Sequence, residues 1–352
     1  MTQSAAFVIG GVDTHGRSHH AAVVDEAGRI LGSAEFVAST AGYRRLLGWM
    51  RCYGDPARIG VEGTGTYGAG LCRYLQAEGV QVVEVDRPDR RMRRRQGKSD
   101  AIDAEAAARS VLAGTATAVP KNRDGIVESI RALRTARSGA VKARSAAGGA
   151  RHGMIVAGPA ELRSALEGLP RSALVRTCAA LRPDRQRLAG PTQATKVALR
   201  SLARRIVLLD AEVDELDVAL SQLVHRAAPR TIALRAIGVD HAGQLLVTAG
   251  EQPERLRSEG AFAHLCGVAP IPASSGRTQR HRLHRGGDRA ANRALHLAVV
   301  VRMRCCPRTR RYVERRTAEG LSKPEIMRCL KRYLAREVFR TLTADLLELR
   351  GA

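Results

Sequence analysis

Asp13 closes the first apolar run of the chain, Phe7 to Val12, and Glu62 closes a short later one, Ile59-Gly60-Val61. Carboxylates at strand ends face the crevice where a layered α/β sheet presents groups to a ligand, so two from separated strands can converge. Asp100 and Asp103 stand three apart where Ser99 caps an expected helix through Ala101 to Leu112, which puts both on one face. Four converging carboxylates repel one another unless a cation holds them. In a basic chain the expected occupant is Mg²⁺, a hard ion held by carboxylates and by the phosphate oxygens of a substrate. The plainer alternative leaves Asp100 and Asp103 on a solvated helix face.

A second constellation runs from Cys266-Gly267-Val268-Ala269-Pro270 to Ser274-Ser275-Gly276 and on through Arg277, Arg280, Arg282 and Arg285. A serine hydroxyl before a flexible glycine can reach a phosphodiester, and neighbouring guanidinium groups can stabilise the charge that builds up during displacement. The same residues also read as a polar loop with a phosphate-binding flank. Another basic run, with Arg90, Arg91, Arg93, Arg94, Arg95 and Lys98, leads directly into Asp100. Gly63-Thr64-Gly65-Thr66-Tyr67-Gly68, followed by Glu84, has the outline of a dinucleotide-binding loop, but it follows three strands and a helix instead of opening the fold. His15, His19 and His20 lack zinc-ligand spacing and read as solvated loop residues.

The 352 residues include 58 Lys and Arg against 34 Asp and Glu, a net charge of +24, which excludes an ordinary neutral metabolic enzyme. Only six of the cations are Lys, so the charge is mostly guanidinium, whose planar fork matches phosphate oxygens. A polyanionic partner follows. The eleven aromatic residues are few for a binder that works mainly by stacking bases. The seven cysteines form no Cys-x-x-Cys pair, so no structural zinc is expected, and their odd number suits a reducing compartment. No apolar run approaches the roughly 18 residues of a membrane span, and the expected location is cytoplasmic, with no membrane partner.

The elements that must position these residues begin with three strands in meander, near 7–12, 20–25 and 30–36. A helix capped by Ser39-Thr40, a strand at 59–61, a helix from Leu71 to Glu78 and a strand from Val80 to Val85 follow. That order suits an RNase H-like α/β fold. Leu199, Leu202, Ile206, Leu209, Val213, Leu216, Leu220 and Leu223 alternate spacings of three and four, a heptad seam expected to form a coiled coil, through self-association or a long helical hairpin. The expected domains are 1–150, a helical linker at 151–228 with its heptads at 199–223, and 229–352.

With Gly11-Val12-Asp13, Val61-Glu62-Gly63-Thr64-Gly65, Lys98-Ser99-Asp100-Ala101-Ile102-Asp103-Ala104 and Gly267-Val268-Ala269-Pro270 to Ser275-Gly276 in that order, the chain resembles the DEDD transposases of the IS one-ten insertion-sequence group. The resemblance implies a RuvC-like N-terminal domain holding Mg²⁺ on Asp13, Glu62, Asp100 and Asp103. It also implies a coiled-coil middle and a mainly helical C-terminal transposase domain supplying a serine nucleophile. The matching serine is Ser275, with Ser274 an open alternative. It further implies double-stranded DNA, both element ends and target, as substrate, with a phosphoserine intermediate and a guiding bridge RNA. A homo-oligomer, dimer or tetramer, joined through the coiled coil would let acids and serine come from different protomers. The competing expectation is a metal-dependent RuvC-like nuclease without covalent serine chemistry.

Overall fold

A computed structural model describes residues 7–85, 99–276 and 281–351. It divides into two compact units, Met1–Gly125 with Ala249–Ala261, and Ile126–Thr248 with Phe262–Ala352. The division expected at residue 150 falls inside one long helix, Gly125–Val156.

The first unit is built on a five-stranded sheet, β1 (Phe7–Thr14), β2 (Ser18–Val24), β3 (Ile30–Val37), β4 (Asp55–Glu62) and β5 (Gln81–Val85), in the order β3-β2-β1-β4-β5. The first three strands form the expected antiparallel meander, and β4 and β5 add in parallel beside β1. Parallel neighbours need a crossover, and α1 (Thr40–Arg51) and α2 (Ala69–Ala77) supply it on one face. They bury Leu46, Leu47, Met50, Leu71 and Leu75 against Val12 and Val61. The opposite face carries α3 (Asp100–Leu112), whose Ala107, Ala108 and Val111 pack on Ile9, Val83 and Val85. Ser39 and Ser99 cap α1 and α3, accepting hydrogen bonds from the amides of Gly42 and Ile102 at 3.2 and 3.3 Å. The segment 249–261 joins this unit through Arg255, whose Nε donates to the Val119 carbonyl at 2.7 Å.

In the second unit, α4 (Gly125–Val156) and α7 (Pro191–Ala227) form a long hairpin, with α5 (Ala160–Leu166) and α6 (Arg171–Ala180) packed at its far end. Arg137 pairs with Asp217 and Arg144 with Asp210. Seven residues forward on one helix match seven backward on the other, which makes the pair antiparallel. The heptad seam is buried or half-buried inside the chain, where Leu199 and Ile206 share a cluster with Ala147 of α4 and Val175 of α6. The long hairpin, one of the two outcomes expected of the seam, is what it builds within the chain.

The remaining helices are α8 (Pro229–Ile232), α9 (Val239–Ala249), α10 (Glu259–Leu265), α11 (Arg289–Cys305), α12 (Pro307–Ala318) and α13 (Lys323–Gly351). Buried Asp345 of α13 anchors α8 by accepting from the Thr231 hydroxyl at 2.7 Å and from the Arg230 and Thr231 amides at 3.1 and 3.0 Å. Among the described residues, no helix is long and apolar enough to cross a membrane.

Candidate functional site

Two Gly-x-acid triplets, Gly11-Val12-Asp13 and Gly60-Val61-Glu62, lie side by side on the parallel strands β1 and β4, with Gly11 opposite Gly60 and Val12 opposite Val61. Side chains alternate along a strand, so each acid faces the same way as the glycine two residues before it. Both glycines face α3. A Cβ on Gly11 would stand 2.1 Å from the Ala104 carbonyl oxygen and 2.3 Å from the Ala108 nitrogen, and one on Gly60 would stand 2.7 Å from the Val111 side chain. The glycine pair lets α3 settle onto the sheet, and its first turn then reaches the level of Asp13 and Glu62. Thr14 steadies the strand ends, its Oγ1 donating to the Glu62 carbonyl at 2.8 Å.

Asp100 and Asp103 occupy that first turn, where the helix dipole favours negative charge. Asp13, Glu62 and Asp103 are buried and Asp100 is exposed. Burial pushes the Asp13 carboxyl above its ordinary range; His15 opposes the shift, and the charges of Asp103 and Asp100 add to it. The closest-set group is Asp13, His15 and Asp100, each offering one ligand atom within 4.8 Å of the others. Glu62 and Asp103 lie outside that tightest group. Oxygen donors dominate the cluster, and a buried carboxylate with a raised proton affinity is a group that a hard divalent ion would relieve, so the residues fit Mg²⁺.

His15 is the site residue that sequence reasoning missed. It is exposed in the turn, as expected, and its Nε2 lies 3.2 Å from Asp13 Oδ2 and 3.2 Å from Asp100 Oδ1. The available signal was its place two residues after Asp13, in the turn that leaves β1. His19, also expected to be solvated, is fully buried on β2 and stacks on Tyr43 with ring centroids 5.5 Å apart. His20 bonds Ser33 on β3 through Nε2 at 2.7 Å.

The loop from Gly63 to Gly68 opens α2 as the dinucleotide outline requires, but Thr64 Oγ1 donates to Glu84 at 2.5 Å and Arg255 stands 3.8 Å from the same carboxylate. Glu84, which a dinucleotide would use for its ribose, is thus engaged within the unit.

In the second unit, β6 (Ile271–Pro272) pairs antiparallel with β7 (His281–Arg282), and Ser274 and Ser275 lie on the exposed connection between them. Gly276 follows at φ +54°, a left-handed conformation that glycine adopts without strain. The base of this hairpin is clamped: Asn292 Nδ2 donates to the Gly267 carbonyl at 2.6 Å, and Lys331 donates to Asn292 Oδ1 at 2.9 Å. Arg282 and Arg285 are exposed beside it. Arg90, Arg91, Arg93, Arg94, Arg95, Lys98, Arg277 and Arg280 lie outside the described residues.

A family model described as Transposase, of the DEDD type of the IS110 group, matches residues 10–152. A second, described as Transposase IS116/IS110/IS902 family, matches residues 232–314. The chain is similar to the insertion element IS900 uncharacterized 42 kDa protein of Mycobacterium paratuberculosis, 27% identical over 143 residues, 40% of this chain and 36% of that protein. It is also similar to the insertion element IS110 uncharacterized 43.6 kDa protein of Streptomyces coelicolor, 29% identical over 164 residues, 45% of this chain and 40% of that protein. Both matches span less than half the length of these curated relatives.

Proposed function

Because two transposase models of the IS110 group match residues 10–152 and 232–314, we propose that the chain is the DNA transposase of an insertion sequence, acting on double-stranded DNA at element ends and target. What supports this reading is Asp13, His15 and Asp100 within ligand distance of one another, with buried Glu62 ending the neighbouring strand and Asp103 in the same helix turn as Asp100, in a chain of charge +24. Acids gathered where the partner is a polyanion serve a cation that both share. The sheet order β3-β2-β1-β4-β5 supports an RNase H-like first unit.

Asp13, Glu62, Asp100 and Asp103 would hold Mg²⁺, which would polarise the phosphoryl oxygens of the scissile group. His15, touching Asp13 and Asp100, orients both carboxylates. Ser275 is the nucleophile: a Ser275 Oγ–phosphorus bond forms as the bond from phosphorus to a sugar oxygen breaks, and the serine proton leaves to a base. One ester replaces another, so rejoining to a second sugar hydroxyl needs no external energy. Arg282 and Arg285 beside the hairpin offset the phosphate charge. A bridge RNA reading the DNA by base pairing suits a chain rich in phosphate-type cations, and the protein works as a homo-oligomer, a dimer or tetramer.

The test incubates wild type, Ser275→Ala, Ser274→Ala and Asp13→Ala with end DNA, guide RNA and Mg²⁺ and resolves covalent protein–DNA adducts under denaturing conditions. Wild type and Ser274→Ala form the adduct; Ser275→Ala and Asp13→Ala do not. Cleavage at wild-type rate by Ser275→Ala, without any adduct, would replace this reading with a metal-dependent nuclease. Activity retained in Asp13→Ala would remove both.

A further inference from the structure

Two cavities of the second unit open on either side of Tyr333. The first, about 450 Å³, is walled in part by Val268, Pro270 and Leu283 and brings Arg282, Arg316, Arg328, Lys331 and Arg332 together with one carboxylate, Glu325. The second, about 710 Å³, brings Arg235, Arg302, Arg308, Arg311 and Arg315 together with one carboxylate, Glu337. Tyr333 lines both, is half exposed, and meets Tyr312 edge-on at 5.6 Å between ring centroids. These are the only tyrosines after Tyr74, and both line the second cavity.

In the first cavity five cations share one carboxylate, Glu325, which stands 3.9 Å from Arg328. Glu325 accepts from the Ser322 amide and hydroxyl at 2.9 and 2.5 Å. Lys331 is 7% exposed and donates to the neutral amide oxygen of Asn292; no carboxylate among the described residues pairs with it. Burial, and then the Arg328 charge, push its ammonium below the usual range. His284 Nδ1 and Arg316 Nε are buried without a hydrogen-bond partner among the described residues. A buried cation is costly unless an anion compensates it, and a phosphate held by ammonium and guanidinium donors does so. In the second cavity Glu337 is engaged by Arg302 at 2.7 Å, while Arg308 and Arg311 stay exposed.

Cations, then an aromatic face, then cations again along one groove is the pattern that meets phosphate, base and phosphate of an unpaired strand. A duplex hides its base faces in the stack and leaves Tyr333 nothing to meet. We propose that the groove across Tyr333 binds a short unpaired stretch of nucleic acid, DNA or RNA. A base rests on Tyr333, with phosphates on Lys331 and Arg328 to one side and on Arg308 and Arg311 to the other. The site rests on the nucleic-acid half of the function proposed above and not on its strand-cleaving half.

Fluorescence anisotropy of the full chain with a labelled single-stranded DNA, the same sequence as RNA, and a blunt duplex tests this. Tyr333→Ala weakens single-strand binding about tenfold, the size of one lost base stack, and changes duplex binding less than twofold. Tyr333→Phe binds as wild type. Arg308→Gln with Arg311→Gln weakens single-strand binding and flattens its salt dependence. The preferred strand, DNA or RNA, identifies the source. Cross-linking a bromouracil-substituted strand to the peptide bearing Tyr333 is a second readout, made on the wild-type protein. Wild-type single-strand affinity in Tyr333→Ala, equal losses on strand and duplex, or cross-links only elsewhere overturn the site. A wild-type protein that binds duplex but no single strand overturns the site alone, whereas one that binds no nucleic acid overturns the proposed function with it.

Discussion

Gly11 of β1 lies directly across from Gly60 of β4, and α3 rests on the floor the two leave bare. The pair sets how close Asp100 and Asp103 come to Asp13 and Glu62. At Gly11 a methyl group would meet main-chain atoms of Ala104 and Ala108, which cannot swing aside; at Gly60 it would meet mainly the ends of the Val111 and Val85 side chains. Gly11→Ala should therefore cost about 3 kcal/mol or more and Gly60→Ala about 1 to 2, as forced overpacking does. Chemical denaturation of the two variants measures the order, and both should lose divalent-ion binding in proportion as α3 lifts.

Asp13 makes stability depend on pH in a defined direction. Its folded-state affinity for a proton is raised, chiefly by burial. Between its unfolded value, about 3.9, and the raised folded one, the folded protein holds the extra proton, so stability falls as pH rises through that window and stays reduced above it. Asp13→Asn should melt higher than wild type at neutral pH without metal, and the gap should close on acidification below about pH 4. Mg²⁺ should raise the wild-type melting temperature and leave that of the variant nearly unmoved.

Arg151 continues the seven-residue ladder of Arg137 and Arg144 on α4, but the matching position on α7 is Ala203 instead of an aspartate. The guanidinium is buried, and its Nε and Nη1 have no hydrogen-bond partner among the described residues. Arg151→Leu should stabilise the hairpin by about 1 to 3 kcal/mol, since a well-packed apolar side chain removes the desolvation cost. Urea unfolding of the purified variant measures this.

Ala236, in the turn between α8 and α9, sits at φ +65°, where an L side chain is strained. Glycine there relieves roughly 1 to 2 kcal/mol of strain against a smaller loss to unfolded-chain entropy. Ala236→Gly should raise the melting temperature, whereas glycine at neighbouring Ile237, which is buried, should lower it.

The cysteines should divide by environment. Burial pushes the Cys72 thiol up to about 12 and the Cys266 thiol well above the ordinary range, while Thr309 hydrogen bonds lower that of Cys306 at the start of α12. Iodoacetamide at neutral pH should alkylate Cys306 and spare Cys72 and Cys266, as peptide mass mapping would show.

Much of the first unit was legible from residue order, because its signals are local. The apolar runs, the cap at Ser99 and the acids at strand ends depend on neighbours a few positions away, and the meander, α1, α2 and α3 appear where they were expected. His15 was not legible: its two carboxylate partners are 2 and 85 positions distant, and only the fold that lays α3 over β1 brings Asp100 to its ring. His19 and His20 were misjudged for the same reason, since a histidine at the start of β2 is buried or exposed according to what α1 and β3 place against it.

The heptads of α7 show where the sequence stops. A 3.5-residue period determines that a narrow apolar stripe must be covered by another helix, because leaving it in water forfeits the hydrophobic gain. It does not determine whose helix covers it. That choice lies with Arg137 and Arg144, whose pairing with Asp217 and Asp210 requires the antiparallel register of α4, and with the Ala140 and Ala147 side chains buried on that face. Residue order alone settles which acids and guanidinium groups the chain offers, which strand ends carry acids and the period of the seam. The tertiary structure alone decided which acids share a ligand distance, which histidine joins them and that the seam closes within one chain, since each depends on contacts between segments far apart in the chain.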